Sequence, residues 1–125
     1  MAVVLVVEDE AHVLSLALLV LDRLGHVPIA ARTFAEAELI IRSDRKFDLV
    51  FTDIVLAEHP EGGIAIGQLV QRLRFGTPIL YTSGSGFSER IGAVGTAPHA
   101  FLQKPYTAQA LAHAVASLLG NRDDT

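Results

Sequence analysis

Acidic, hydroxyl and ammonium side chains stand where four apolar runs of the chain end. Glu8 and Asp9 follow the first of these runs, and Asp53 ends another near the middle of the chain. Thr82 ends the next run, and Lys104 follows the last. Clustered carboxylates need a compensating cation, and a site with only oxygen ligands suits a hard ion such as Mg²⁺. Together with a hydroxyl and an ammonium that bind anionic oxygens, these residues predict phosphoryl transfer to a carboxylate nucleophile.

The elements that must position these residues alternate between strand-length and helix-length segments, which predicts a parallel sheet with helices on both faces. Five strands are predicted at residues 3–7, 27–30, 49–52, 79–82 and 100–103. Five helices are predicted at 10–24, 33–43, a segment ending near 74, a short segment at 88–94, and 107–119. Pro28 cannot donate to a ladder, so the second strand belongs at the edge, and strand order 2-1-3-4-5 satisfies this. The predicted fold class is α/β: a single doubly wound (βα)5 flavodoxin-like domain.

Local signals mark several helix ends. Gly25 is placed just after the first helix, where a left-handed conformation is common. Thr33 and Glu36 form a capping-box pattern at the start of the second helix. Thr107 is predicted to cap the last helix.

Length and composition exclude several classes of protein. A chain of 125 residues has room for one domain, predicted at 1–119 with a polar tail at 120–125. The absence of cysteine excludes disulfides and Cys-based zinc sites. A net charge of −4 argues against direct nucleic-acid binding, and the longest apolar run is too short to span a membrane. No signal peptide is recognisable, so a cytoplasmic location is expected.

Motifs at these strand ends resemble the response regulator receiver domains of bacterial two-component signalling, over residues 3–119. They are Glu8-Asp9, Thr52-Asp53-Ile54, Leu80-Tyr81-Thr82-Ser83-Gly84 and Phe101-Leu102-Gln103-Lys104-Pro105. The resemblance implies a signalling phosphoacceptor that catalyses only its own phosphorylation and dephosphorylation, and not an enzyme acting on other substrates. No output domain is recognisable after the last helix, so an unidentified downstream protein is expected to read the signal. A homodimer is left open.

The resemblance also implies a role for each matching residue of the site. Asp53 would be the phosphoacceptor and would receive its phosphoryl group from a histidine kinase or a histidine phosphotransfer protein. Glu8, Asp9 and Asp53 would bind Mg²⁺, helped by the backbone carbonyl of Ile54. Lys104 would contact the phosphoryl group through its ammonium.

A switch is implied in the same way. Thr82 would move toward the phosphoryl oxygens, and the rotamer of Phe101 would follow. The movement would remodel the surface formed by the predicted fourth helix, fifth strand and fifth helix, which partners read. The bond between Lys104 and Pro105 is expected to be cis.

The chain departs from the common receiver pattern in the acidic pair and in the loop after Asp53. Glu8 stands where aspartate is commonest, and its side chain is longer than that of aspartate. Ala57 replaces a frequent proline, and the loop is lengthened nearby. Val55 is apolar where many relatives carry a polar residue near the hydrolytic water. We therefore hypothesise a long-lived phosphoryl state, which a lifetime of seconds on the purified protein would contradict.

The first predicted helix carries two neighbouring apolar stripes. The predicted core stripe is Val13, Ala17, Val20 and Leu24, and the second stripe is Leu14, Leu18 and Leu21. In the receiver family this helix docks the kinase. Leu14 and Leu18 are therefore candidates for docking, with extra core packing as the alternative.

Three other functions fit the sequence less well. A flavodoxin-like cofactor binder needs a phosphate loop after the first strand, where this chain has Glu8, Asp9 and Glu10. A phosphatase of the haloacid dehalogenase type needs an acid where Val55 stands. A pseudo-receiver, which would act as a protein-interaction module without phosphorylation, is the main alternative.

Overall fold

A computed structural model of the chain describes residues 1–84 and 98–122, which form five strands and four helices. In chain order they are β1 (Val3–Val7), α1 (Ala11–Arg23), β2 (Val27–Ala31), α2 (Phe34–Arg42), β3 (Leu49–Asp53), α3 (Gly62–Leu73), β4 (Ile79–Ser83), β5 (His99–Gln103) and α4 (Ala108–Arg122). The helix predicted at 88–94 lies outside the described residues, so α4 is the fifth predicted helix.

The strands form one parallel sheet in the order β2-β1-β3-β4-β5, which confirms the predicted fold class and strand order. Strand β2, which contains Pro28, lies at the edge as predicted. Strands β3 and β4 are buried along their whole length. Because all strands are parallel, their carboxyl ends lie at one edge of the sheet, where ligands bind in such folds.

Helices cover both faces of the sheet, and each face has its own apolar core. Helices α1 and α4 pack on one face, against residues that include Val4 and Val6 of β1. Helices α2 and α3 pack on the other face, against residues that include Leu5 and Val7. Burial on both faces of the sheet therefore explains why β1 is apolar at every position. Within the described residues, no helix is long and apolar enough to cross a membrane.

Capping residues set the ends of the first two helices. The Glu10 carboxylate accepts two backbone N–H groups of the first turn of α1, at 3.1 and 3.0 Å, and these hydrogen bonds lower its pKa. Glu10 is thus the cap of α1 and not its first residue. Thr33 accepts the N–H of Glu36 at 3.1 Å, as predicted, while the Glu36 side chain accepts the N–H of Arg32 at 2.9 Å. Gly25 follows α1 with a φ of 86°, which confirms its predicted position.

Helix α4 begins after Thr107, whose hydroxyl accepts the N–H of Ala110 at 3.0 Å, as the predicted cap requires. The helix continues to Arg122 and so passes its predicted end at residue 119. The first residues of the predicted polar tail are therefore helical.

The core face of α1 differs from the prediction. Leu14, Ala17 and Leu21 are buried against the sheet, whereas Leu24 is 45% exposed. Of the predicted core stripe, Ala17 alone is fully buried. Two apolar stripes lie side by side on this helix, so periodicity alone cannot choose between them. Packing against β1 and α4 selects the second stripe.

Candidate functional site

The predicted site residues come together at the carboxyl edge of the sheet. Asp53 is the last residue of β3, and Thr82 of β4 is its partner in register. Glu8 and Asp9 follow β1, which is adjacent to β3, and Lys104 follows β5. Each of these side chains thus lies at, or directly after, the carboxyl end of a strand.

The Lys104 ammonium bridges two buried carboxylates. Its Nζ lies 2.8 Å from Oδ2 of Asp53 and 2.8 Å from Oε1 of Glu8. Glu8 is only 3% exposed and Asp53 only 6%, so both need a compensating charge. Burial alone would lower the pKa of Lys104, but the hydrogen bonds to Asp53 and Glu8 and the negative charges of these carboxylates together outweigh burial and raise it. Burial raises the pKa of Glu8, and the hydrogen bond from Lys104 offsets this only in part.

The three carboxylates fit a divalent cation. Glu8, Asp9 and Asp53 each offer one oxygen, and these oxygens lie within 4.8 Å of one another. Backbone groups hold two of the side chains: Oδ2 of Asp9 accepts the N–H of Ala57 at 2.6 Å, and Oε2 of Glu8 accepts the N–H of Glu10 at 3.1 Å. A positioned, all-oxygen donor set of this kind suits Mg²⁺.

The carbonyl of Ile54 already has a partner inside the fold. It accepts the N–H of Gly63, at the start of α3, at 2.9 Å. The N–H of Ile54 donates to the carbonyl of Thr82, also at 2.9 Å. A carbonyl oxygen has a second lone pair, so the predicted role of Ile54 as a metal ligand stays a prediction.

The two switch residues are both tied to β5. The Thr82 hydroxyl donates to the carbonyl of Leu102 at 2.7 Å. Phe101 is partly buried and packs against the core under α2 and α3. The peptide bond between Lys104 and Pro105 is cis, as the resemblance implies. The movements of Thr82 and Phe101 stay predictions.

Sequence reasoning missed two contributors to the site. The first is the backbone N–H of Ala57, which holds the Asp9 carboxylate. A backbone contact of this kind does not depend on residue type, so the sequence does not indicate it. Tyr106 carries a buried hydroxyl that has no hydrogen-bond partner among the described residues. Burial, and the nearby charge of Glu8, raise the pKa of Tyr106 to about 12. Its place directly after Lys104 and Pro105 is a signal that could have identified it.

The docking surface predicted on α1 needs correction. Leu14 is 7% exposed and belongs to the core, so its predicted docking role is wrong. Leu18 is partly buried against the same core, and its docking role stays a prediction. Leu16 is 44% exposed and lines a groove of 550 Å³. The groove is completed by His12, Val13, Gly84, Lys104, Pro105 and Tyr106.

Solved structures of several proteins are similar to this chain. NtrX from Brucella abortus matches with a TM-score of 0.84 and 29% identity, over 96% of this chain and 27% of NtrX. The chain thus spans about a quarter of the length of that protein. A response regulator receiver protein from Sinorhizobium medicae WSM419 matches with a TM-score of 0.87 and 29% identity, over 97% of this chain and 96% of that one.

A CheY-like response regulator receiver domain protein from Methanospirillum hungatei JF-1 matches with a TM-score of 0.86 and 22% identity, over 98% of this chain and 97% of that one, and supports the fold alone. The curated proteins contain no match to the chain. The family model described as the response regulator receiver domain matches residues 4–116, nearly the whole chain. The chain therefore belongs to the response regulator receiver domain family, whose members serve in two-component signalling.

Proposed function

We propose that this receiver domain takes a phosphoryl group onto Asp53, with Mg²⁺, from a histidine kinase or a histidine phosphotransfer protein. One observation carries the proposal. The Asp53 carboxylate ends a buried strand, with the Lys104 ammonium at 2.8 Å and ligand oxygens of Glu8 and Asp9 within 4.8 Å. This arrangement combines a nucleophile, a cation for phosphoryl oxygens and a divalent-metal site.

The proposed chemistry is nucleophilic attack by the Asp53 carboxylate. One of its oxygens forms a bond to phosphorus while the bond from phosphorus to the donor nitrogen breaks, and the donor imidazole keeps the electron pair. The product is an acyl phosphate on Asp53. The Lys104 ammonium would bind phosphoryl oxygens. Mg²⁺ held by the acidic residues would supply neutralisation of charge on the transferring oxygens.

The donor would approach over the groove beside Lys104. Val13, Leu16 and Pro105 give this groove apolar walls next to the phosphoacceptor. Exposed apolar surface of this kind beside a reactive group suits a protein partner. We therefore place the docking surface at Leu16 and not at Leu14.

Phosphorylation would change the conformation of β5, and partner proteins would recognise this change. The Thr82 hydroxyl cannot donate to a phosphoryl oxygen while it donates to the carbonyl of Leu102, so phosphorylation would exchange one acceptor for the other. An exchange of this kind biases a two-state equilibrium. The strand that loses the hydrogen bond carries Phe101, the predicted switch aromatic.

Intact-mass measurement after incubation with acetyl phosphate and Mg²⁺ tests the proposal. We expect one added phosphoryl group on the wild type, and none on Asp53→Asn or without metal. Asp22→Asn, the same change at an exposed carboxylate of α1, is the matched control and should label normally. NMR spectra of the labelled sample should show shifted β5 amides. A phosphorylated histidine phosphotransfer protein provides a second donor.

Failure of both donors to label the wild type would contradict the proposal. If beryllofluoride also left the NMR spectrum unchanged, the pseudo-receiver would become the better interpretation. An adduct that persists on Asp53→Asn would instead place the phosphoryl group elsewhere.

The lifetime of the adduct provides a separate prediction. Val55 lies two residues after Asp53 and is 40% exposed, but its side chain cannot orient a hydrolytic water. Val55→Asn supplies such a group and should shorten the half-life of the adduct by up to about a hundredfold, the low end of the range for a positioned general base, because an amide orients the water but does not take its proton. The decay of the adduct mass measures this. Leu39→Asn, at an exposed apolar site on α2, should leave the half-life unchanged. Equal half-lives for Val55→Asn and the wild type would refute the role of Val55.

A further inference from the structure

We propose that Glu8 limits the affinity of its own metal site, because its carboxylate also holds the Lys104 ammonium, whose charge opposes the binding of a divalent cation. The inference rests on the magnesium site of the proposed function. It assigns to Glu8 a second role, as the residue that couples metal binding to the position of Lys104.

Both oxygens of Glu8 are engaged. Oε1 lies 2.8 Å from Nζ of Lys104, and Oε2 accepts the N–H of Glu10 at 3.1 Å. The Glu8 side chain is only 4% exposed, so water cannot easily take the place of either partner. An ammonium and a divalent cation on one oxygen would repel each other at close range. Each oxygen keeps a second lone pair, so a metal can still approach Glu8, but against the charge of the ammonium. The bridge to Lys104 therefore opposes binding of the metal by Glu8.

The length of the Glu8 side chain makes this bridge. Aspartate is shorter by one carbon–carbon bond, about 1.5 Å. From the same backbone position, an aspartate oxygen would lie beyond the hydrogen-bond limit of about 3.2 Å from Nζ. Asp53 still holds Lys104 at 2.8 Å, so we expect the ammonium to stay in place when the side chain at position 8 is shortened. Glu8→Asp thus keeps a carboxylate ligand and removes only the competing bridge.

The competition works in both directions. If Lys104 weakens metal binding through Glu8, metal binding must weaken the hold of Glu8 on Lys104 by the same factor. The ammonium is then shared by fewer carboxylates and is more available to an incoming phosphoryl group. Glu8 is in this sense a positioning residue for Lys104.

Calorimetric titration of the unphosphorylated protein with Mg²⁺ tests this coupling. We expect Glu8→Asp to bind Mg²⁺ about fivefold more tightly than the wild type, at the low end of typical coupling between two sites. Lys104→Met should also bind more tightly. In the Lys104→Met background, Glu8→Asp should bring no further gain, because the bridge is already absent. Glu58→Asp and Lys46→Met, the same changes at exposed positions, serve as controls.

The double variant separates this proposal from a simpler one. If aspartate were only a better ligand, Glu8→Asp would tighten binding equally with and without Lys104, and the proposal would be overturned. Wild-type or weaker affinity in a folded Glu8→Asp protein would also overturn it. A second readout is the side-chain ammonium signal of Lys104 in NMR, which should move on addition of Mg²⁺ to the wild type. Its movement should be smaller in Glu8→Asp.

These measurements need no phosphoryl donor. Altered affinities without labelling of Asp53 would therefore count against the proposed function alone. Labelling of Asp53 with unchanged affinities would count against the role of Glu8 alone.

Discussion

Replacing Gly63 with alanine is expected to lower the free energy of unfolding by about 3 kcal/mol, the upper part of the range for overpacked positions. Helix α3 begins against the end of β3. A Cβ at Gly63 would collide with the carbonyl oxygen of Asp53 and would lie 2.6 Å from Cα of Ile54. Both neighbours are backbone, so neither can rotate away. The helix would have to retreat and break the hydrogen bond from Gly63 to Ile54.

The same substitution should disturb the candidate site, because the carbonyl oxygen that the Cβ would push against belongs to Asp53, the proposed phosphoacceptor. Urea unfolding followed by circular dichroism measures the stability, and acetyl phosphate labelling measures the site. Gly120→Ala is the matched control, since a Cβ there meets nothing within 4 Å. That change should leave stability unchanged or slightly raised, because alanine favours helix. Equal stability of the two variants would show that α3 does not depend on this close approach.

Arg74→Ala is expected to cost about 2 kcal/mol of stability, the range for hydrogen bonds to a charged group. The Arg74 guanidinium donates to the carbonyls of Ile41, Ile40 and Ser43 at 3.1, 3.4 and 2.7 Å, and so caps the end of α2. It also lies 4.4 Å from the centre of the Phe47 ring. A cation at a helix C-terminus is favourable, and the aromatic face adds to this.

Urea unfolding again provides the measurement. Arg72→Ala, at an exposed arginine of α3, should change stability by less than about 0.5 kcal/mol. Arg74→Lys should recover only part of the loss, because a single ammonium cannot reproduce the planar fork of donors. If Arg74→Ala proved as stable as Arg72→Ala, the capping role would be wrong.

Much of the fold and the central site residues could be predicted because their signals are local. Apolar runs bounded by turns give the strands, and the residue that ends each run falls at the carboxyl edge of a parallel sheet. Thr33, Gly25 and Thr107 sit at helix ends for reasons contained within a few residues of each. The edge position of β2 follows from Pro28 alone.

The predictions failed where the answer depended on distant neighbours. Helix α1 offered two adjacent apolar stripes, and only packing against β1 and α4 decides that Leu14 faces inward. The close approach of Gly63 to Asp53 joins a helix to a strand, and no local pattern in the sequence indicates it. The contact of Arg74 with the end of α2 joins residues more than thirty positions apart. The bridge from Lys104 to Glu8 likewise depends on side-chain length in three dimensions.

The two tyrosines have a practical consequence. The chain contains two tyrosines and no tryptophan, so its ultraviolet emission comes from Tyr81 and Tyr106 alone. Tyr106 lies beside the charges of Glu8 and Lys104, whereas Tyr81 packs in the apolar core between the sheet and helices α2 and α3. Tyr106 therefore sits next to the candidate site. Unlabelled protein carries its own optical reporter of the site, and no dye has to be attached.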